Sequence, residues 1–374
     1  MRNIRFTKVL VVFSLSIGMT VLKVDAQKSS EFPFYVGTYT KTESKGIYKY
    51  VLQGDGSLEK VGLVATSDNP SFLAKSRNGK YLLAVNEIKN DQEVGHVESF
   101  LIEDNFLKLL GKRPSGGAYP CFITISNAGH VLVANYGDGT VGLLKLERKG
   151  ELTGPLDIQR HVGSGASSRQ QGPHAHSVWF GATQRDVISV DLGTNELWFS
   201  QIDPKNDKLI PATPSKLAMS EGAGPRHMTF HPNGQWAYVL NELNSTMTVL
   251  MKNEEGVYEK GATLTTLPSN FEGKNSTADI HISSDGAFIY ASNRGHDSLA
   301  IYQVNAEDGS VRLIGHESTR GEVPRNFSLS PDDRFVLVAN QKTNTIVSFR
   351  RDENTGALTH IDQIEAPTPV CILF

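Results

Sequence analysis

Five side chains have the types that acid–base and anion chemistry require, and their spacing repeats. His176, Arg226 and Arg325 each stand fifteen residues before an Asp or Asn (Asp191, Asn241, Asn340), and Glu242 and Arg294 each directly follow an Asn (Asn241, Asn293). An imidazole can take a proton near neutral pH, and a carboxylate can orient it or share the transfer. A guanidinium can grip a carboxylate or phosphate through two parallel hydrogen bonds, or steady a developing oxyanion. Such a set suits proton transfer on a small anionic or carbonyl-bearing molecule. Taken singly, each residue reads equally well as half of a structural ion pair. Convergence on one concave site is what would give them a joint function.

The elements that must position them form a repeat. A short apolar run, a Gly/Asp/Asn turn, a second apolar run and a closing Asn recur about every fifty residues. The plain copies run from Pro70-Ser71 to Asn86, Pro120-Cys121 to Asn135, Pro225-Arg226 to Asn241, Thr277-Ala278 to Asn293 and Pro324-Arg325 to Asn340; a diverged copy runs from His176 to Asp191. Runs such as 81–85, 131–134 and 335–339 are β-branched and aromatic-rich and are bounded by turn residues, so they read as strands. A third and a fourth run follow each Asn, and four strands per repeat is the pattern of a propeller blade. The N-terminal run at 34–37 reads as a second strand and the C-terminal run at 369–374 as a first strand. Joined, they make a seventh blade and leave no large unpaired sheet edge. The expected fold is all-β: a seven-bladed β-propeller of four-stranded antiparallel blades, closed by N- and C-terminal strands that share one blade.

In such a ring the start of each first strand and the end of each second strand reach one mouth of the central tunnel. The first set is Ser71, Cys121, His176, Arg226, Ala278, Arg325 and Val370; the second is Thr38, Glu87, Tyr136, Leu192, Glu242, Arg294 and Gln341. His176, Glu242, Arg226 and Arg294 are the expected catalytic group, with Arg325, Glu87, Tyr136 and Gln341 as substrate-binding residues. The repeated Asn is expected to satisfy local turn backbone. Strand alternation is expected to point His227 away from Arg226, and His174 and His176 to share one strand face. No converging set of three or four ligands is read, so neither a metal nor another cofactor is expected. Trp179, Trp198 and Trp236 read as strand packing, His231 as a turn residue, and Asn135-Tyr136-Gly137-Asp138-Gly139 as a hairpin turn.

Composition bounds the rest. Arg2, Arg5 and Lys8, an apolar stretch at 9–22 and Val24-Asp25-Ala26 have the form of a secretory signal, giving a leader at 1–26 and a propeller domain at 27–374. The apolar stretch is short and broken by Ser and Thr, so no stable membrane insertion is expected after processing. The expected location is periplasmic or secreted. The net charge of −3 becomes −6 once the leader takes Arg2, Arg5, Lys8, Lys23 and Asp25 with it. An acidic chain without a basic stripe is a poor nucleic-acid binder. Cys121 and Cys371 fall on inner strands of blades that are not neighbours and are expected as free, buried thiols.

The stretches Gly222-Ala223-Gly224-Pro225-Arg226-His227-Met228, Tyr238-Val239-Leu240-Asn241-Glu242-Leu243-Asn244-Ser245 and Ala278-Asp279-Ile280-His281-Ile282 closely resemble the seven-bladed lactonase family. That family includes cycloisomerase-type 6-phosphogluconolactonases and the fungal carboxy-cis,cis-muconate cyclases, and the resemblance spans essentially the whole chain after the leader. It implies a site of one His, two Arg and one Glu, falling on His176, Arg226, Arg294 and Glu242, the four that the repeat arithmetic selects. It implies a small-molecule lactone substrate, sugar-derived or anionic, and hydrolysis of its ring ester, with 6-phosphogluconolactonase-like activity. The leader is the departure, since the phosphogluconolactonases act on a cytosolic sugar phosphate. Two other classes stay open: a muconate-type cycloisomerase that opens or closes a lactone without water, and a non-catalytic binding propeller.

Overall fold

The computed structural model describes residues 31–374. The leader at 1–26, and the boundary after it, lie outside the described residues. Twenty-eight strands form seven antiparallel four-stranded sheets, with no helix among the described residues. Blade 1 joins the C-terminal strand Pro369–Leu373 to Phe32–Thr38, Gly46–Leu52 and Leu58–Thr66. Blades 2 to 7 follow in chain order at 73–114, 120–160, 175–218, 225–265, 276–318 and 324–365. The closing ladder pairs Tyr35 with Leu373, Val36 with Ile372 and Gly37 with Cys371. Gly37 is required there, because a Cβ would stand 2.3 Å from the Pro70 carbonyl oxygen.

Blade runs are almost continuously apolar because both faces of each sheet are buried. Seven apolar clusters result, one at each interface between neighbouring blades. In the second strand of blade 5, Tyr238 and Leu240 pack toward blade 6, while Val239 packs toward blade 4. In blade 2, Leu82 and Ala84 pack against blade 1 and Leu83 and Val85 against blade 3. The outer strands are largely exposed, as in Tyr258–Thr265. The core is thus a ring of sandwiches around a tunnel, and the inner strands line that tunnel.

In six blades the residue expected at the mouth is skipped by the strand ladder. Pro120 pairs with Asn135 and Phe122 with Ala134, leaving Cys121 without a partner. The same two-against-one step isolates His176, Arg226, Arg325 and Val370. In blade 6 it lies between Thr277 and Ile280, at Ala278 and Asp279. A β-bulge bends its strand and re-aims the extra side chain, here toward the tunnel. Asn69, Tyr119, Gly224, Val323 and Thr368 adopt left-handed backbone, each preceding the leading Pro of its blade, and in all but blade 2 a bulge follows. Cys121 and Cys371 are free, buried thiols in blades 3 and 1.

Candidate active site

His176, Arg226, Glu242 and Arg294 meet at one mouth of the tunnel. Glu242 closes the second strand of blade 5 next to Asn241, and its N–H donates to Gly224 O at 2.7 Å, which draws it against the turn that leads into Arg226. Its Oε2 lies 3.1 Å from Arg226 Nε and 3.0 Å from Arg294 Nη2. Its Oε1 accepts from Arg169 Nη1 at 2.6 Å. Burial by itself would raise this carboxyl, but Arg294, Arg226 and Arg169 outweigh it and hold the pKa at about 2. The carboxylate is ionised and already engaged by three cations.

His176 Nε2 lies 3.9 Å from Glu242 Oε2, too far for a hydrogen bond. Burial lowers its pKa well below the ordinary imidazole value, and Arg226, His227 and Arg325 push in the same direction. At neutral pH the ring is therefore uncharged and can accept a proton. Its Nδ1 side faces the Cys121 thiol, with Sγ 3.8 Å away, and burial holds that thiol protonated. Tyr136 packs edge-on to His176, stacks on His174 at 4.6 Å between ring centroids, and accepts from Arg169 Nη2 at 2.9 Å.

The two engaged arginines are held from the protein side. Arg226 Nη1 donates to the Ala278 carbonyl and lies 3.2 Å from His227 Nε2. Arg294 Nη2 donates to Thr277 O at 2.6 Å. The other terminal nitrogen of each, Nη2 of Arg226 and Nη1 of Arg294, makes no hydrogen bond among the described residues. Because an arginine only donates, His227 Nε2 must accept, so the ring proton sits on Nδ1 and is given to Asp279 Oδ1 at 2.7 Å. Asp279 also receives Asn326 Nδ2 and His281 Nε2, and its carboxyl is held far below the usual range despite burial. Asp279 and His227 thereby buttress Arg226 from below.

This corrects the expectation that His227 faces away from Arg226: the bulge at Arg226 breaks the alternation on which that expectation rests. His174 and His176 both pack against the Tyr136 ring. His174 precedes the strand Ala175–Phe180, and its Nδ1 meets Tyr136 O at 2.8 Å. The repeated Asn behaves as expected: Asn86, Asn293 and Asn340 donate to the Asp68, Thr266 and Thr319 carbonyls. Trp179 packs on Phe122 and Phe230, and His231 accepts from Asn233 N in its turn.

The expected binding residues divide. Tyr136 joins the His176 group. Glu87 and Gln341 instead line a neighbouring cavity of about 410 Å³ with Tyr39, Asn69 and Tyr119. Arg325 lies between the two, its guanidinium 5.3 Å from the Tyr39 ring centroid and without a hydrogen bond or ion pair among the described residues.

Arg169 and Tyr39 escape the sequence reading. Arg169 sits in the fourteen-residue connection between Leu152–Arg160 and Ala175–Phe180, the longest inter-strand segment among the described residues. That length, with its Gly and Ser content, is a signal for a functional loop. Tyr39 is one residue beyond the ring position of Thr38.

The lactonase family model described as "Lactonase, 7-bladed beta-propeller" matches residues 33–374. The chain is 33% identical over 346 residues to the 6-phosphogluconolactonase of Bacillus subtilis, spanning 91% of this chain and 97% of that protein. It is 35% identical over 341 residues to a 6-phosphogluconolactonase of Formosa agariphila, spanning 88% and 95%. The solved structure of the Pseudomonas aeruginosa periplasmic gluconolactonase aligns with a TM-score of 0.87 at 30% identity, over 92% of this chain and 98% of that one. With the family match running through all seven blades, the chain belongs to the seven-bladed β-propeller lactonase family.

Proposed function

We propose that this protein hydrolyses the ring ester of a sugar-derived lactone. The observation that carries the reading is an uncharged, buried His176 beside two guanidiniums that each keep one terminal nitrogen unengaged, in a chain of lactonase descent. His176 Nε2 takes a proton from water as the water oxygen attacks the lactone carbonyl carbon. The carbonyl oxygen becomes an oxyanion against the unengaged terminal nitrogens of Arg226 and Arg294. When the ring C–O bond breaks, the imidazolium returns its proton to the leaving alkoxide, and a hydroxy acid is released. Glu242 takes no proton in this scheme. It gathers Arg169, Arg226 and Arg294 and fixes their geometry.

The form of the leader and the likeness to a periplasmic gluconolactonase support export, with the propeller domain beginning at Gln27. The test is a pH-stat assay of the mature protein against a panel of sugar lactones, with ¹⁸O-labelled water to follow the product. One labelled oxygen in the new carboxylate is the expected result. Turnover without label would indicate a water-free cycloisomerase, and wild-type rates in His176→Ala would remove the base from the scheme.

A further inference from the structure

The cavity beside Arg325 has a mostly apolar wall into which a few cross-braced polar groups are set. Tyr39 directs its hydroxyl at both Glu87 oxygens, at 2.9 and 2.8 Å. Glu87 N donates to Asn69 O at 3.0 Å, and Asn69 Oδ1 accepts from Thr40 N at 2.8 Å. These bonds tie blades 1 and 2 together at the rim and fix the carboxylate in place. The Gln341 side chain enters from blade 7 and makes no hydrogen bond among the described residues, so its amide can both donate and accept. Tyr119 closes the blade 3 side as an exposed aromatic ring, 39% accessible.

A fixed carboxylate, a free amide and an open aromatic face at the edge of a reaction centre match one ligand chemistry. Hydroxyl groups donate to the carboxylate, and the C–H face of a sugar packs on the ring. We propose that this cavity is a subsite for the uncharged polyhydroxyl part of the substrate, and that Glu87 makes it unfavourable for a phosphate. The proposal rests on the lactonase reading and narrows it to unphosphorylated aldonolactones. A phosphate and a carboxylate are both anionic and rich in acceptors, so the two would repel rather than bond. Lys41 is the cation on this cavity's wall, but it is exposed on a flexible stem, where solvent screens it. Arg325, on the inner side between this cavity and the His176 group, is a buried cation that also interacts with Glu87.

Kinetics of the mature protein with D-glucono-1,5-lactone, its 6-phosphate and δ-valerolactone test this. The wild type is expected to favour gluconolactone over the phosphorylated lactone by at least about tenfold in kcat/KM, and Glu87→Gln to narrow that ratio by about tenfold. Tyr119→Ala is expected to raise KM for gluconolactone at least about fivefold more than KM for δ-valerolactone. A preference for the phosphorylated lactone, or variants that affect all three substrates equally, overturns the subsite. Binding of D-glucitol, followed by saturation-transfer NMR, separates this from the parent reading because it needs no turnover. Glucitol binding that weakens in both variants supports the subsite even if no lactone is hydrolysed, whereas no glucitol binding to the wild type overturns it even if lactones are.

Discussion

With its carboxyl held at about pH 2 by three guanidiniums, Glu242 keeps its charge at every pH at which a histidine would titrate, so the proposed scheme assigns the acid limb of activity to His176. A base must be unprotonated to act, and burial has moved this one below its ordinary value of 6.5. kcat/KM is therefore expected to stay level from neutrality down past pH 6.5 and to fall only below it; a midpoint at or above 6.5 in the pH–rate profile would contradict the assignment. His176→Ala is expected to lower kcat by at least ~100-fold with an unchanged circular dichroism spectrum. Glu242→Gln has a different signature, because it leaves the buried Arg226 and Arg294 and the half-exposed Arg169 without their shared counter-charge. Loss of one member of such a network costs about 3–5 kcal/mol, so this variant should lose thermal stability as well as activity.

Among the elements, the bulge carries the most consequence for the site. It frees the His176 and Arg226 side chains from the ladder, and the turn before it sets their direction. Gly224, at φ +61°, leads into Arg226, and a Cβ there would lie 2.4 Å from Leu243 Cγ. Gly224→Ala is expected to cost on the order of 1–3 kcal/mol and to lower kcat more than it raises KM, read from melting curves and steady-state kinetics. Below Arg226, Asp279→Asn keeps the shape but removes the charge that draws the Nδ1 proton of His227. A positioning role predicts about a tenfold fall in kcat with little change in KM for gluconolactone, partly recovered by Asp279→Glu. This part of the site was hidden from the sequence for a physical reason. Residue types mark a strand but not the step where one residue drops out of register, so strict alternation misdirects His227. Arg169 was hidden because its reach to Glu242 spans 73 residues and depends on how one long connection folds over the mouth. His176, Arg226, Glu242 and Arg294 were legible because the fixed repeat spacing puts them at two recurring points, the start of the first strand and the end of the second, in blades 4, 5 and 6.

At the scale of the whole molecule, the repeat made the fold readable: six continuous copies of one four-strand unit, with a seventh divided one strand to three between the two ends, have a closed ring as their economical solution. Closure puts a heavy demand on the last strand. Removing residues 369–374 strips the inner strand from blade 1 and opens the interface that joins Phe34 and Val36 to Phe335 and Leu337. Such a truncation is expected to lose cooperative unfolding by circular dichroism. The buried charges also set an acid limit on the ring. Glu242 and Asp279 are depressed below their unfolded values, so they favour the folded state above about pH 4.5 and lose that contribution as pH falls further. His176 and His227 are depressed as well and must be uncharged when folded, so protonation of the unfolded chain below pH 6.5 works in the same direction. For Glu242 the effect is on the order of 3 kcal/mol. Melting temperature is expected to fall as pH drops below 6.5, more steeply below 4.5, with the lower limb flattened in Glu242→Gln.

The tunnel-facing position of most blades is the one that inter-strand bonding leaves out. Exchanging Cys121, Ala278 or Val370 therefore disturbs volume and charge but breaks no rung between strands. Frame and fittings are separable in this architecture. A lineage can trade what it recognises one blade at a time, and a laboratory library built at these positions should yield altered selectivity from variants that still assemble.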